Sequence, residues 1–383
     1  MYESNSTESG TMESGSATAE QVSALSRGSA ARYPGSAEPS GVPALGDPQL
    51  AALIARILSV SPFAGRSPLD RIRSNLNPPY DYAIAIPVRN EEEWLPRTLG
   101  ALDRTMRTSA ERGAVVFVLN DTSDRSAEVI ARFAAARDMP VAAIEIGLDP
   151  AIRSAPHARR VALDVAVSLA PDGHLLTSDS DTHVGPLWVR SCLAALRDGY
   201  ALVCEDIRLD EAELAALPPA VQRVGDVERA YFEACEQLWQ LWTGGRAGAF
   251  AYRASGASLG LASAAYREVG GLPLPDRGED AALCDAVLAS GQRVRQLRDI
   301  GTRTSARLSS RAEGGCGQTL SHRSRCEDPE CDDALVPLRV LRERAMRPGD
   351  PKSSGLRDGT GSLRYSEVAR ELGKAQRLLF GMR

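Results

Sequence analysis

Tyr82-Ala-Ile-Ala-Ile-Pro-Val88 is a run of seven apolar residues that ends directly in Arg89, Asn90 and Glu91. A short apolar run followed by polar residues is typical of a strand that is buried on both faces of a sheet. The residues over 91–105 then carry apolar side chains at helical spacing. A buried strand followed by an amphipathic helix predicts a βα unit.

The same alternation continues along the chain. We predict strands at 115–119, 141–146, 174–177 and 201–204, and helices at 126–137, 155–169, 186–197, 226–242 and 281–289. Alternating strands and helices of this kind predict an α/β fold, with a mixed, mostly parallel sheet flanked by helices.

The two ends of the chain have a different composition. The first 46 residues contain ten Ser and six Gly but four residues from Val, Leu and Ile. Such a segment cannot bury enough apolar surface to offset the entropy of ordering, so 1–46 is predicted to be a disordered tail. Asp47-Pro48 is a helix-start signal. We therefore predict an N-terminal helix and linker over 47–79, a main domain over 80–322 and a helical C-terminal extension over 323–383.

Composition excludes several classes of protein. The net charge is −5 and the basic residues are interspersed with acidic ones, so nucleic acid is not expected as a partner. No apolar stretch approaches the roughly 18 residues that a membrane span needs. Seven cysteines without close, even spacing fit a reducing cytoplasm. A peripheral contact with the inner face of a membrane stays open, as does the oligomeric state.

Three of the predicted strands end in unusually polar segments. These segments are Arg89-Asn-Glu91, Asn120-Asp-Thr-Ser-Asp124 and Asp179-Ser-Asp181. Asn and Asp are good turn and cap residues, which explains any one of the three. Ligands of open α/β sheets bind at the carboxyl ends of strands, however, and the coincidence at three ends favours a ligand site.

Asp179 and Asp181 are the most informative pair. Residues two apart in an extended segment point the same way, so these two carboxylates are expected to face one cation. Two carboxylates leave Mg²⁺ or Mn²⁺ incompletely coordinated, and such ions usually take further oxygens from water and from substrate phosphates. The pair therefore predicts a metal ion together with a diphosphate-bearing ligand.

Two later segments add charged residues. Glu279 and Asp280 open a predicted helix, where the helix dipole favours acidic residues, but either could also serve as a general base. A segment that contains Arg307 and His322 follows the last predicted strand. Arginine can clamp phosphate oxygens, and His322 could complete a metal shell, although a lone histidine is more often structural.

Two other patterns give alternative interpretations. Gly256-Ala-Ser-Leu-Gly260 matches the nucleophile elbow of serine hydrolases, and Ser258, Asp280 and His322 follow the chain order of an α/β-hydrolase triad. The chain lacks a glycine-rich oxyanion segment of the HGG type, which argues against that triad. His322 with Cys326 and Cys331 does not have standard zinc spacing, and a flexible loop is expected around them.

Taken together, the segments resemble a family 2, GT-A-type nucleotide-sugar glycosyltransferase of bacteria. The resemblance covers about 80–322 and lies in the following segments: 86–92, 118–124, 158–160, 179–182, Gly256-Ala257 before Gly270-Gly271, and Gly278-Glu-Asp280. It implies a GT-A fold for the main domain. It also implies transfer of a sugar from a nucleotide-diphosphate sugar to an acceptor hydroxyl that the sequence does not identify.

The resemblance assigns roles residue by residue. It implies donor binding by Pro87, Arg89, Asn90, Glu91, Asn120, Asp121, Arg159 and Asp179; Mg²⁺ or Mn²⁺ binding by Asp179 and Asp181, with His322 as a further ligand; acceptor or phosphate contacts by Gly256, Ala257, Glu279 and Arg307; and inversion with Asp280 as the base.

Two departures from the family pattern leave alternatives open. Leu119-Asn120 stands where many members have paired Asp, so recognition of the base could differ. A D-S-D with a later His also resembles a retaining glucosyl-3-phosphoglycerate synthase, in which Asp280 would position the acceptor. A degenerate, non-catalytic sugar-nucleotide-binding protein is the third alternative.

Overall fold

The computed structural model describes residues 48–245, 248–309, 315–347 and 362–382. The predicted tail over 1–46 lies outside these residues. The strands are β1 Leu69–Ser74, β2 Tyr82–Val88, β3 Gly113–Asn120, β4 Val141–Ile146, β5 His174–Thr177, β6 Thr182–His183, β7 Leu202–Glu205, β8 Arg208–Leu209, β9 Leu259–Ala262, β10 Val294–Leu297 and β11 Arg303–Thr304. The helices are α1 Pro48–Leu58, α2 Leu95–Arg107, α3 Ser126–Arg137, α4 Ala155–Leu169, α5 Trp188–Arg197, α6 Glu211–Ala215, α7 Pro219–Thr243, α8 Ser263–Glu268, α9 Glu279–Ala289, α10 Cys316–Arg323, α11 Leu338–Ala345 and α12 Tyr365–Gly381.

One large sheet organises the described residues, with strand order β1-β4-β3-β2-β5-β9-β7-β10. Four neighbouring pairs are parallel, and three pairs, which involve β1 and β9, are antiparallel. A smaller sheet has the order β6-β11-β8. The predicted fold class, a mixed, mostly parallel sheet flanked by helices, is confirmed.

Helices cover both faces of the large sheet. Side chains of α1, α4, α8 and α9 pack on one face, and side chains of α2, α3 and α5 pack on the other. Every residue of β2 and β3 is buried as a result. The continuous apolar runs of these two strands follow from burial on both faces.

Pro87 lies in β2, in the interior of the sheet, although proline cannot donate to a ladder. The carbonyl of Ala85 faces β5, where it accepts hydrogen bonds from Thr177 and Ser178. The backbone nitrogen of Pro87 faces the same side, because Pro87 is two residues further along the strand. The last β2–β5 pair is Ala85 with Thr177, so Pro87 lies beyond the end of β5, where no ladder partner needs its N–H.

The C-terminal helices form a second apolar cluster. Helices α11 and α12 pack against α7, and Tyr231 of α7 donates a hydrogen bond of 2.7 Å to the carbonyl oxygen of Val336. Helix α10 crosses the predicted domain boundary at 322. It includes His322, around which a flexible loop is predicted from the sequence. Within the described residues, no helix combines the length and the apolarity needed to cross a bilayer.

Strand β1 lies inside 47–79, the segment predicted to be an N-terminal helix and linker. Its sequence, LDRIRS, has few apolar residues because β1 pairs antiparallel with β4 at the edge of the sheet and most of its side chains are not fully buried. Strands β6, β8 and β11 have two residues each, too short to leave a periodic signal.

Candidate active site

The first two polar loops are tied together by hydrogen bonds. Asn90, at a positive φ of 53°, accepts bonds through Oδ1 from the backbone N–H groups of Ser123 (2.7 Å) and Asp124 (3.3 Å). Asp124 accepts in return from the backbone N–H of Glu92 at 2.9 Å. Asn tolerates this left-handed conformation better than most residues. The loops after β2 and β3 therefore form one rigid wall.

Asn120 and Asp121 differ in how their side chains are used. The Asp121 carboxylate pairs with Arg153 at 3.0 Å and accepts from the backbone N–H of Leu148 at 3.2 Å. Asn120 is buried, and its Oδ1 atom has no hydrogen-bond partner among the described residues. A buried acceptor without a donor is costly, so Asn120 is ready to bind a donor group that enters from outside the chain.

Arg159 is the hub of the site. It projects from α4 and is 3% exposed. Its Nη1 atom donates to Thr177 Oγ1 at 2.7 Å and to the carbonyl oxygen of Gly256 at 2.8 Å. Its Nη2 atom donates to Asp179, and its Nε atom lies 3.6 Å from Glu279. Arg159 thus joins the C-terminal end of β5 and the N-terminal end of α9 to the segment before β9. It also positions Asp179.

The Asp179-Ser-Asp181 segment is a turn, and the predicted extended strand end is wrong here. The carbonyl oxygen of Asp179 accepts from the backbone N–H of Thr182 at 3.2 Å. Asp179 pairs with Arg159, and Asp181 pairs with Arg307 at 2.8 Å. The two carboxylates are nevertheless close enough that Asp179 contributes to the pKa of Asp181.

Arg307 connects the third polar segment to the first. It makes a bidentate pair with Glu91 (2.8 and 2.6 Å) while it also contacts Asp181. Its guanidinium lies 5.3 Å from the ring centroid of Trp94, within the range of a cation–π contact. These contacts place Arg307 between two carboxylates of the site.

The site crowds carboxylates in a largely buried region. Burial raises the pKa of Asp181 to about 7 against the opposing effect of Arg307, and the carboxylates of Asp179 and Glu91 add to the rise. Burial also raises the pKa of Glu279; Arg159 opposes this rise, and Asp280 adds to it. Carboxylates whose charged form is disfavoured in this way gain from a nearby cation.

Asp280 is held at the start of α9. Gly278 adopts a positive φ of 71° and precedes the helix, which places Glu279 and Asp280 in its first turn. Oδ2 of Asp280 accepts from the backbone N–H of Gly256 at 3.0 Å, and Oδ1 accepts from the backbone N–H of Ala281 at 2.7 Å. A carboxylate has about four acceptor positions, so two of them stay open for a substrate hydroxyl.

Gly256 is required by its neighbour. A Cβ atom at this position would lie 2.5 Å from Nη2 of Arg159. Gly256→Ala is therefore expected to displace the guanidinium from Asp179. With Asp179 as the metal ligand that the family resemblance implies, this change should lower nucleotide affinity by about tenfold or more, which is the usual effect of losing an outer-shell partner. Ala257→Gly, one residue away, is the control. Isothermal titration calorimetry measures the nucleotide affinity of both variants. An unchanged affinity in Gly256→Ala would show that Arg159 does not position the site.

Ser258 is a structural residue, and the serine-hydrolase alternative is wrong. It is buried; its Oγ donates to Glu205 Oε2 at 2.7 Å and accepts from Trp188 Nε1 at 2.6 Å. No histidine takes part in these bonds, whereas a nucleophilic serine needs a base within hydrogen-bond reach. His322 is exposed in α10.

Ser258→Ala is expected to lower stability and leave the chemistry intact. The change deprives buried Glu205 and Trp188 of a partner, and an unsatisfied buried group costs about 1–3 kcal/mol. Denaturant unfolding measures the loss, and sugar transfer measured alongside should stay within about twofold of the unmodified enzyme once the folded fraction is taken into account. A loss of sugar transfer with no loss of stability would show that Ser258 takes part in the reaction and is not merely structural.

The predicted histidine ligand does not join the aspartates. In the described residues, no group of three or more His, Cys, Asp or Glu side chains is arranged to hold a metal ion. Asp179, Asp181 and His322 therefore do not form such a group, and neither do His322, Cys326 and Cys331. Cys331 is buried in the C-terminal apolar cluster. An ion at Asp179 and Asp181 would need its other oxygens from water and from a ligand.

Several residues of the site could not be found from sequence. Ser178 donates to the carbonyl oxygen of Ala257 at 2.9 Å, and Thr177 joins Arg159 to the carbonyl oxygen of Ala85. Thr177 ends β5 and Ser178 follows it, directly before the predicted Asp179, and that position is their one sequence signal. The contact of Trp94 with Arg307 joins segments far apart in the chain and leaves no such signal.

The charge balance of the assembled site is negative. Five carboxylates (Glu91, Asp179, Asp181, Glu279 and Asp280) share the region with the guanidinium groups of Arg159 and Arg307, a difference of −3 when all are ionised. Arg89 is half-buried at its edge, and no described side chain pairs with it. Such a site attracts cations and repels a bare diphosphate.

Comparison with known proteins identifies the domain. Residues 83–257 match the model of the family described as "Glycosyl transferase family 2". No curated protein matches the sequence.

Solved structures are similar to the chain at low sequence identity. TarS of S. aureus (residues 1–349, with UDP) is 14% identical, with a TM-score of 0.42; the alignment covers 59% of this chain and 61% of that one, less than two thirds. Mannosyltransferase PcManGT from Pyrobaculum calidifontis, with GDP-Man and Mn²⁺, is 14% identical over 87% of this chain and 83% of that one, with a TM-score of 0.45. Glucosyl-3-phosphoglycerate synthase from Mycobacterium tuberculosis, with uridine diphosphate, is 14% identical over 73% and 83%, with a TM-score of 0.36.

The family match runs from β2 to β8 and ends at the Gly256-Ala257 segment that contacts Arg159. It covers most of the residues gathered in the site, and it confirms the predicted family and the glycosyltransferase class of the domain. Residues 83–257 therefore form a glycosyl transferase family 2 domain.

Proposed function

We propose that the chain transfers a sugar from a nucleoside-diphosphate sugar to an acceptor hydroxyl in a reaction that needs Mg²⁺ or Mn²⁺. The observation that carries this proposal is the excess of carboxylates at the polar ends of β2 and β5 and in the first turn of α9, beside a domain of glycosyl transferase family 2. A diphosphate cannot enter such a region favourably unless a divalent cation accompanies it.

The donor would lie along the wall made by the first two loops. Asn120 would accept a hydrogen bond from the base through its unpartnered Oδ1, and Arg89 would face the diphosphate. Asp179 and Asp181 would hold the ion, whose chemistry is to stabilise the charge of the departing diphosphate. Arg159 would act through Asp179, because its Nη1 and Nη2 groups already donate to protein atoms and its Nε lies beside Glu279.

Asp280 would take the proton of the acceptor hydroxyl. The N–H groups of Gly256 and Ala281 fix its carboxylate, which leaves acceptor positions for a hydroxyl. Deprotonation by a fixed base as the hydroxyl attacks the anomeric carbon, from the face opposite the nucleotide, gives inversion. A retaining reaction, in which Asp280 positions the acceptor, is the alternative, and the anomeric configuration of the product decides between them.

A thermal-shift panel tests the donor class. UDP, GDP, ADP and CDP are each added with Mn²⁺, with Mg²⁺ and with neither ion. A ligand at 100 times its Kd stabilises the folded state by about 2.7 kcal/mol, so one diphosphate should raise the Tm clearly and only with the ion present. Equal shifts without the ion would contradict the metal requirement. If no diphosphate shifts the Tm, the donor class as proposed is wrong.

A further inference from the structure

The free end of the C-terminal helical cluster is unusually apolar for an exposed surface. Seven large hydrophobic side chains are exposed among the described residues, and five of them lie here, near the ends of α7, α11 and α12. These five are Leu241 (55% exposed), Met346 (61%), Leu378 (40%), Phe380 (84%) and Met382 (50%). Met346 and Leu378 line one open groove of about 1030 Å³ together with Trp242. We call this groove and its apolar rim the C-terminal patch.

The C-terminal patch is also basic. Arg339, Arg342, Lys374 and Arg377 line the groove, together with two carboxylates. The carboxylates of Glu343 and Glu371 pair with Arg339 and Lys374, which leaves Arg342 and Arg377 with no carboxylate partner among the described residues. Exposed apolar side chains beside unpaired arginines are therefore concentrated at one end of the molecule.

We propose that the C-terminal patch docks the enzyme on a membrane surface that carries anionic phospholipids. Two unpaired guanidinium groups complement phosphate-bearing headgroups, and Phe380, Leu378 and Met382 would enter the boundary between headgroups and acyl chains. Trp242 has the amphipathic side chain that prefers this boundary.

A second copy of the chain fits the patch less well. A twofold contact brings the same surface of each copy together, and this groove has four basic side chains against two carboxylates that are already paired, so two surfaces of net positive charge would meet. A lipid surface supplies the opposite charge. The patch shares no residue with the site of Asp179 and Asp280, so this inference does not depend on the proposed reaction.

Vesicle sedimentation with the full chain tests the proposal. Vesicles of phosphatidylcholine with about 30% phosphatidylglycerol, whose surface is negatively charged, are compared with vesicles of pure phosphatidylcholine. We expect binding to the anionic vesicles, weaker binding to the neutral ones, and loss of the difference at high salt. Absence of binding to anionic vesicles, or equal binding to both kinds, would overturn the proposal.

Two variants locate the contact. Arg342→Gln with Arg377→Gln should weaken binding roughly 25-fold, because each basic residue near an anionic surface contributes about 1 kcal/mol. Phe380→Ser with Met382→Ser should weaken it by about tenfold or more. Both pairs are exposed, so folding is not at risk.

The matched controls change the same residue types elsewhere. Arg56→Gln with Arg190→Gln, and Val60→Ser with Leu187→Ser, alter exposed positions outside the patch and should leave binding unchanged. If the controls weaken binding as much as the patch variants, the patch is not the contact. Light scattering measures the oligomeric state as well. If the unmodified chain is a dimer that does not bind vesicles, and Phe380→Ser with Met382→Ser makes it a monomer, then a second copy covers the patch and the proposal is wrong.

Discussion

Asp280→Asn is expected to lower kcat by about 10²- to 10⁴-fold, which is the range for loss of a general base. The amide keeps the size of the carboxylate and can still accept from the backbone N–H of Gly256 or Ala281, so α9 should begin as before. What it loses is the ability to take a proton. Initial-rate kinetics with a saturating donor measure the change.

The division between kcat and KM separates the two roles of Asp280. If Asp280 positions the acceptor in a retaining reaction, Asp280→Asn raises the acceptor KM and leaves kcat within about tenfold of the original value. Asp276→Asn is the matched control, because Asp276 is exposed in the loop before the same helix. Full transfer activity in Asp280→Asn would exclude its role as the base.

Asp179→Asn together with Asp181→Asn is expected to abolish metal-dependent transfer. Both substitutions remove anionic oxygens from the place where the ion is proposed to bind, and we expect Mn²⁺ affinity to fall by about 100-fold or more. Mn²⁺ titration followed by electron paramagnetic resonance measures this without any need for activity.

Exposed aspartates provide the control for this double change. Asp172→Asn with Asp276→Asn removes the same two charges from exposed positions and should leave Mn²⁺ binding unchanged. Arg307 keeps Glu91 as a partner in the site variant, and Arg159 keeps its bonds to Thr177 and Gly256, so we expect the fold to persist. Unchanged Mn²⁺ affinity in a folded site variant would mean that the ion binds elsewhere.

The sequence predicts the framework well where burial dictates the pattern. The bounds predicted for β2, β4, β5, α3 and α4 are the observed ones. These elements are buried runs or amphipathic helices between clear turn signals, so local sequence determines them. Strand β1 and the two-residue strands were missed because their pairing partners, and not their own sequences, make them strands.

The site shows where sequence reasoning ends. The positions of Asn120, Asp179 and Asp280 at the ends of elements follow from the βα pattern. Their partners do not: nothing local indicates that Arg307 would pair with Glu91, 216 residues away in the chain. The shape of the Asp179 turn was also predicted wrongly, because an extended strand end was assumed where the backbone of Asp179 and Thr182 closes a turn.

Anomalous scattering from Mn²⁺, in crystals grown with the nucleoside diphosphate that the thermal-shift panel selects, tests the central claim most directly. The account predicts a single strong peak in contact with the carboxylates of Asp179 and Asp181 and with the diphosphate, and a base next to Asn120. A peak elsewhere, with Asp179 still on Arg159 and Asp181 still on Arg307 while the nucleotide is bound, would contradict it.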